Sequence, residues 1–121
     1  MRIQELTQYL DTYLRAGEFH EGTREVEHIV LGVSASLGLI DEAARLGADV
    51  VLVHHGWFWK GESPRIAGVK GCRIRHLMQS GMHLVGYHLP LDAHETVGNN
   101  AELARVLGLT IESRHGEYGL L

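Results

Sequence analysis

The residues best equipped for chemistry stand in two short clusters. In Val50-Val51-Leu52-Val53-His54-His55-Gly56 an apolar run leads straight into two imidazoles and a glycine. In Tyr87-His88-Leu89-Pro90-Leu91-Asp92-Ala93-His94 two further imidazoles flank a carboxylate. Imidazole nitrogen with carboxylate oxygen is a donor set for zinc, iron, manganese or nickel rather than calcium or magnesium. Asp92 offers a hard oxygen able to bridge two cations, and Pro90 restricts the backbone that presents it. Successive strand residues point to opposite faces, so His54 and His55 cannot comfortably chelate one ion from an extended chain. Either the backbone turns at Gly56, or each histidine serves a different ion. The second alternative fits a two-metal site, whose ions lie roughly 3.5–4 Å apart. Plainer readings stand beside these: an adjacent histidine pair can be incidental, His88 can be a hydrogen-bonded residue at a strand end, and Asp92 and His94 can cap a turn.

The elements that must position these clusters follow from periodicity. Ile3, Leu6, Leu10 and Leu14 recur at three and four, predicting an amphipathic helix that ends near Gly17. Gly17 to Arg24 reads as a loop, and Val26 to Val33, rich in β-branched residues, as a strand. Ser34-Ala35-Ser36 supplies caps for a helix through Leu37, Ile40, Ala43, Ala44 and Leu46, stopped at Gly47. Asp49 to Val53 is continuously apolar after its first residue, as expected of a strand covered on both faces. Ile66 to Gln79 predicts a helix ending at Gly81, and Met82 to Tyr87 a third strand. Leu89 to Gly98 is expected as a loop; Asn99 or Asn100 then caps a helix through Leu103, Val106 and Leu107 that Gly108 ends, and Leu109 to Glu112 is expected as a fourth strand. Strands alternating with helical crossovers predict an α/β fold with a mostly parallel sheet and flanking helices. Ligands bind such sheets beyond the carboxyl ends of the strands. Both clusters fall there.

Composition narrows the function classes. A chain of 121 residues has room for one domain and is read as a single one over 1–121. No apolar run approaches the ~20 residues of a membrane span, and no apolar segment follows Met1-Arg2 as in a secretory leader. The lone Cys72 excludes an internal disulfide and suits a reducing cytoplasm. A formal net charge of −4 with scattered basic residues gives no nucleic-acid footprint. Neither glycine-rich nucleotide fingerprint is present. Nine histidines are many for this length and lean toward metal. Outside the two clusters, His20, His28, His76, His83 and His115 are expected at the surface, and Cys72 as a small packed hydrophobe.

Three longer stretches carry a resemblance. Val53-His54-His55-Gly56-Trp57-Phe58-Trp59-Lys60-Gly61-Glu62, Gly86-Tyr87-His88-Leu89-Pro90-Leu91-Asp92-Ala93-His94 and Gly98-Asn99-Asn100-Ala101 to Leu107-Gly108-Leu109 resemble, in order, the NIF-three-like family. Bacterial members of that family carry the name GTP cyclohydrolase 1 type 2 homolog. Gly32-Val33-Ser34-Ala35-Ser36 to Asp41-Glu42-Ala43 resembles its first strand and helix. The resemblance implies a di-metal site of divalent transition-metal ions in a protein that assembles as a ring hexamer. It implies that His54 and His55 are metal ligands, that Asp92 bridges the metals, and that His88 supports the ligands from behind. Trp57, Phe58 and Trp59 match an aromatic stretch near the cavity, or else pack into the fold or a subunit contact.

The resemblance also implies a C-terminal half that adds a histidine and a glutamate four residues apart on a helix. No His-x-x-x-Glu follows Asp92; from His115 the fourth position on is Gly119. The chain is therefore expected to correspond to the N-terminal half of a longer protein, as a fragment, a half-length member or one partner of a split protein. Two function classes compete. One is a metal-dependent hydrolase, with His88 or His94 moving protons, and this chain alone is expected to be poorly active. The other is a metal-binding module or scaffold without catalysis. A homo-oligomer is expected in either case.

Overall fold

Val50 and Val51 face opposite sides of the chain yet both are fully buried, so their strand is covered on both faces. The computed structural model describes residues 1–14 and 25–115. The order is α1 (Ile3–Leu14), β1 (Ile29–Ser34), α2 (Leu37–Arg45), β2 (Val50–His55), α3 (Gly68–Gln79), β3 (His83–Gly86), α4 (Leu89–Asp92) and α5 (Asn99–Leu107). The expected helix end at Gly17, the loop from Gly17 to Arg24, His20 and Gly119 lie outside the described residues.

The three strands form a parallel sheet in the order β1-β2-β3, as the alternating pattern predicts. Ile29 pairs with Val50 and Ser34 with His55; Val50 pairs with His83 and Val53 with Gly86. This register aligns the carboxyl ends of β1 and β2, so Ser34 and His55 finish side by side. On one face Val51 and Val53 pack with Ala35, Ile40 and Ala43 around α2 and with Leu77 and Met82 around α3. On the other, Val50 packs with Ile3, Leu6 and Val26, and Ile29, Val85 and Leu10 join them. At about 1.5–3 kcal/mol for each fully buried aliphatic side chain, these two clusters dominate the stability of the sheet.

Local chemistry sets the element ends. Ser36 caps α2 by accepting the Leu39 N–H at 3.2 Å, and Gly47, at φ 69°, closes the helix. β1 begins at Ile29 rather than Val26 because the N–H groups of Glu27 and His28 donate to Asp49 Oδ2 at 3.0 and 2.9 Å. Those donors are taken from the ladder, and Val26 packs under α1 instead. The expected loop from Leu89 contains a helical turn, α4, in which Leu91 and Asp92 N–H both donate to His88 O at 3.0 Å. Pro90 falls in its first turn, where a missing N–H costs nothing. Leu109 to Glu112 forms no strand. Gly108 turns left-handed at φ 67° and the Leu109 N–H closes α5 onto Ala104 O at 2.8 Å, which directs the chain away from the sheet. No helix of the described residues is long and apolar enough to cross a membrane.

Candidate metal centre

His54 and His55 alternate along β2, yet their rings lie 4.5 Å apart, centroid to centroid. The strand stops at His55, and beyond the sheet edge each imidazole is caught by a neighbouring strand. His54 Nδ1 donates to the Tyr87 carbonyl at 2.9 Å. Because a carbonyl only accepts, Nδ1 carries a proton here, and in the neutral ring Nε2 is then the lone-pair nitrogen. His55 Nδ1 meets Ser34 Oγ at 3.1 Å; donation to that hydroxyl likewise leaves Nε2 as a base. The backbone at Gly56 thus need not turn to bring the two rings together.

His88, directly after β3, completes the group. Its ring lies 4.7 Å from that of His54 and 5.2 Å from that of His55. One nitrogen from each of His54, His55 and His88 lies within 4.8 Å of the other two, and all three side chains are half-buried. Asp92 stands one helical turn beyond His88, so its carboxylate leans back over the cluster. Asp92 Oδ1 is 3.3 Å from His54 Nε2, and Oδ2 is 3.9 Å from His88 Nε2. Donors bound to a tetrahedral ion at ~2.0–2.1 Å stand about 3.3–3.4 Å apart, so the His54–Asp92 separation equals one edge of such a polyhedron. This donor set fits a divalent transition metal.

Other expected participants lie elsewhere. His94 has both nitrogens engaged: Nε2 meets the Tyr13 carbonyl at 3.0 Å, and Nδ1 accepts from Thr96 and Val97 N–H at 3.3 and 3.2 Å. Its ring stacks on Tyr13, and it clamps the α4–α5 connection to α1. His28 and His115 are exposed, as expected. His76 pairs with Asp41 at 2.8 Å. His83 is half-buried, not exposed, and lines a cavity of about 570 Å³ that opens beside His54 and His88 and is walled by Trp59, Leu77, Met78 and Met82. The aromatic stretch divides. Trp57 is in the core and donates Nε1–H to Ala35 O at 2.7 Å. Phe58 is 73% exposed with the Lys70 ammonium over its ring, and Trp59 sets its edge against His88 at 4.8 Å.

Three residues behind the cluster, Tyr87, Asp11 and Asn99, had no role in the site assigned from the sequence. The Tyr87 carbonyl orients His54, while its hydroxyl donates to the carboxylate of Asp11 on α1, where both residues are buried. Burial first, then the hydrogen bond and charge of Asp11, push the Tyr87 phenol well above the usual tyrosine range. Asn99, expected as a helix cap, is the first residue inside α5; Gly98 occupies the cap. The Asn99 amide donates to Asp92 Oδ1 at 2.6 Å. Asp11 lies within α1 and Asn99 opens α5, so their meeting with the site depends on contacts distant in the chain.

This parallel α/β fold is shared with proteins of a known family. Residues 4–120 match the model of Duf34/NIF3 (NGG1p interacting factor 3), and the chain belongs to that family. Among its relatives is the GTP cyclohydrolase 1 type 2 homolog of Escherichia coli strain K12, 58% identical over 91 residues, covering 75% of this chain and 37% of that protein. The protein of the same name from Pseudomonas aeruginosa is 48% identical over 115 residues, covering 91% and 46%. Among solved structures, protein ybgI, of unknown function, superposes with a TM-score of 0.87 at 47% identity, covering 94% of this chain and 50% of that one. The chain spans half or less of the length of these relatives.

Proposed function

We propose that this chain supplies the histidine-rich part of a di-metal centre in a hydrolase-like protein. His54 and His55 are proposed as ligands, Asp92 as the carboxylate shared between two ions, and His88 as a supporting residue with its own nitrogen within reach of the ions. The observation that carries this reading is the convergence of three imidazole nitrogens within 4.8 Å of one another beneath the Asp92 carboxylate. Bound divalent ions would supply Lewis acidity and lower the pKa of water toward neutrality. The chain's own part is to orient the imidazoles through Tyr87 and Ser34 and to offer an apolar cavity alongside. The relatives' name points to a heterocyclic substrate such as GTP, and zinc, iron, manganese and nickel all suit the donors.

A second reading, a metal-binding scaffold without catalysis, is favoured by one observation. His94, the candidate proton carrier outside the cluster, is clamped through both nitrogens. Elemental analysis of the purified, tag-free chain is expected to find one or two transition-metal ions per chain. His55→Ala and Asp92→Ala are each expected to lose most of that metal; full retention by both overturns the assignment. A screen of GTP, phosphoesters and cyclic amides at matched metal content then separates the two readings. The 121-residue chain is expected to turn them over barely above free metal.

A further inference from the structure

Asp92 is the only carboxylate proposed for the centre, and among the described residues one short contact holds it. Its Oδ2 is 3.9 Å from His88 Nε2, too long for a hydrogen bond, and the terminal torsion of an aspartate is intrinsically broad. The short contact is the 2.6 Å bond that Oδ1 accepts from Asn99 Nδ2; a bond to an ionised acceptor runs shorter than a neutral one. The same nitrogen is 3.5 Å from His54 Nε2. Oδ1 has two lone pairs. The amide takes one, which leaves the other for an ion, and His54 Nε2 stands 3.3 Å from the same oxygen.

The backbone forces this arrangement. Gly98 is buried against α4, and its N–H donates to His94 O at 3.1 Å. A Cβ at Gly98 would collide with the carbonyl oxygens of His94, Asp92 and Leu91. Glycine therefore lets α5 begin directly over the end of α4, and the next side chain falls on Asp92. The residue type also matters. A lysine or arginine there would neutralise the carboxylate and repel a cation, whereas a neutral amide holds the carboxylate and leaves its charge for the metal.

We propose that Asn99 is the positioning residue of the metal centre, locking the Asp92 carboxylate in its ion-sharing orientation. The proposal rests on the metal centre proposed above. The test is titration of the metal-free chain with Co²⁺ and Zn²⁺, with the visible absorption of the Co²⁺ form as a record of ligand geometry. Asn99→Leu, which keeps volume but donates nothing, is expected to weaken binding by about 10–100-fold and to change the Co²⁺ spectrum. Asn99→Ala, a good helix former, serves in its place if the leucine variant does not fold. Asn100→Ala is expected to match the wild type. In an Asp92→Ala background, Asn99→Leu is expected to change affinity little, because the two act as one unit. Wild-type affinity and spectrum in a folded Asn99→Leu chain overturn the proposal, as does an undiminished effect in the Asp92→Ala background. If the wild type takes up no Co²⁺, or Asp92→Ala keeps full affinity, the metal centre itself fails and Asn99 loses its role with it.

Discussion

Tyr87 ties the histidine-bearing edge of the sheet to α1 through two different atoms. Its carbonyl fixes His54, and its hydroxyl donates to Oδ1 of the buried Asp11 carboxylate. Removing the hydroxyl separates the two duties. Tyr87→Phe is expected to lose roughly 1.5–3 kcal/mol of stability, the range for a hydrogen bond to a charged group, while keeping its metal, because the carbonyl remains. Urea unfolding and metal analysis on the same preparation check both parts. The raised phenol pKa adds a sign. Above about pH 10 an unfolded chain releases this proton while the folded one retains it, so Tyr87 makes stability fall as pH rises. Tyr87→Phe is expected to flatten that alkaline slope; an unchanged slope would show that other groups set it.

At the scale of elements, the site depends on where α4 ends and α5 begins. Two glycines of α5 make the point by contrast. Gly98, at the start, is packed against carbonyls of α4, so Gly98→Ala is expected to cost about 1–3 kcal/mol through overpacking and to weaken metal binding by moving Asn99. Gly108, at the end, has open space for a Cβ but a φ of 67°. Gly108→Ala is expected to cost about 1–2 kcal/mol through strain and to leave metal affinity alone. Thermal unfolding and Co²⁺ titration of the two variants decide this. Equal metal affinity in both would detach the helix start from the site. In the sequence Gly108 was legible as the end of a helix, and Gly98 only as the last residue of a loop. What packs against them is non-local, and so was out of reach.

At the scale of the whole molecule, the described residues leave much apolar surface uncovered. α1 covers only part of its face of the sheet, and Leu31 and Val33 on β1 remain 71% and 70% exposed. They form, with Leu52, Tyr13, Leu91 and Val97, part of the lining of a groove of about 350 Å³. Val106 and Leu107 on α5 are exposed as well. We propose this exposed apolar surface as an interface, with a second copy of the chain as its occupant. Light scattering coupled to size exclusion is expected to find a dimer or a larger species at tens of micromolar. A clean monomer would remove the homo-oligomer and leave the ring assembly without support for this chain.

By itself the sequence determined what depends on near neighbours. The apolar run of β2 required a buried central strand, Ser36 and Gly47 bounded α2, and the alternation of strands with helices required a parallel sheet, because each of these is set within a few residues of chain. It also put His54, His55, His88 and Asp92 at strand ends, since a polar cluster cannot continue a buried strand. The tertiary structure decided which of these side chains meet. Register brought Ser34 to His55, a single helical turn swung Asp92 over His88, and a glycine contact delivered Asn99 to Asp92. It also sent Trp57 into the core while leaving Phe58 exposed, and left Leu109 to Glu112 without a strand to pair with. Each of these outcomes depends on a partner far away in the chain, and neither propensity nor periodicity carries that information.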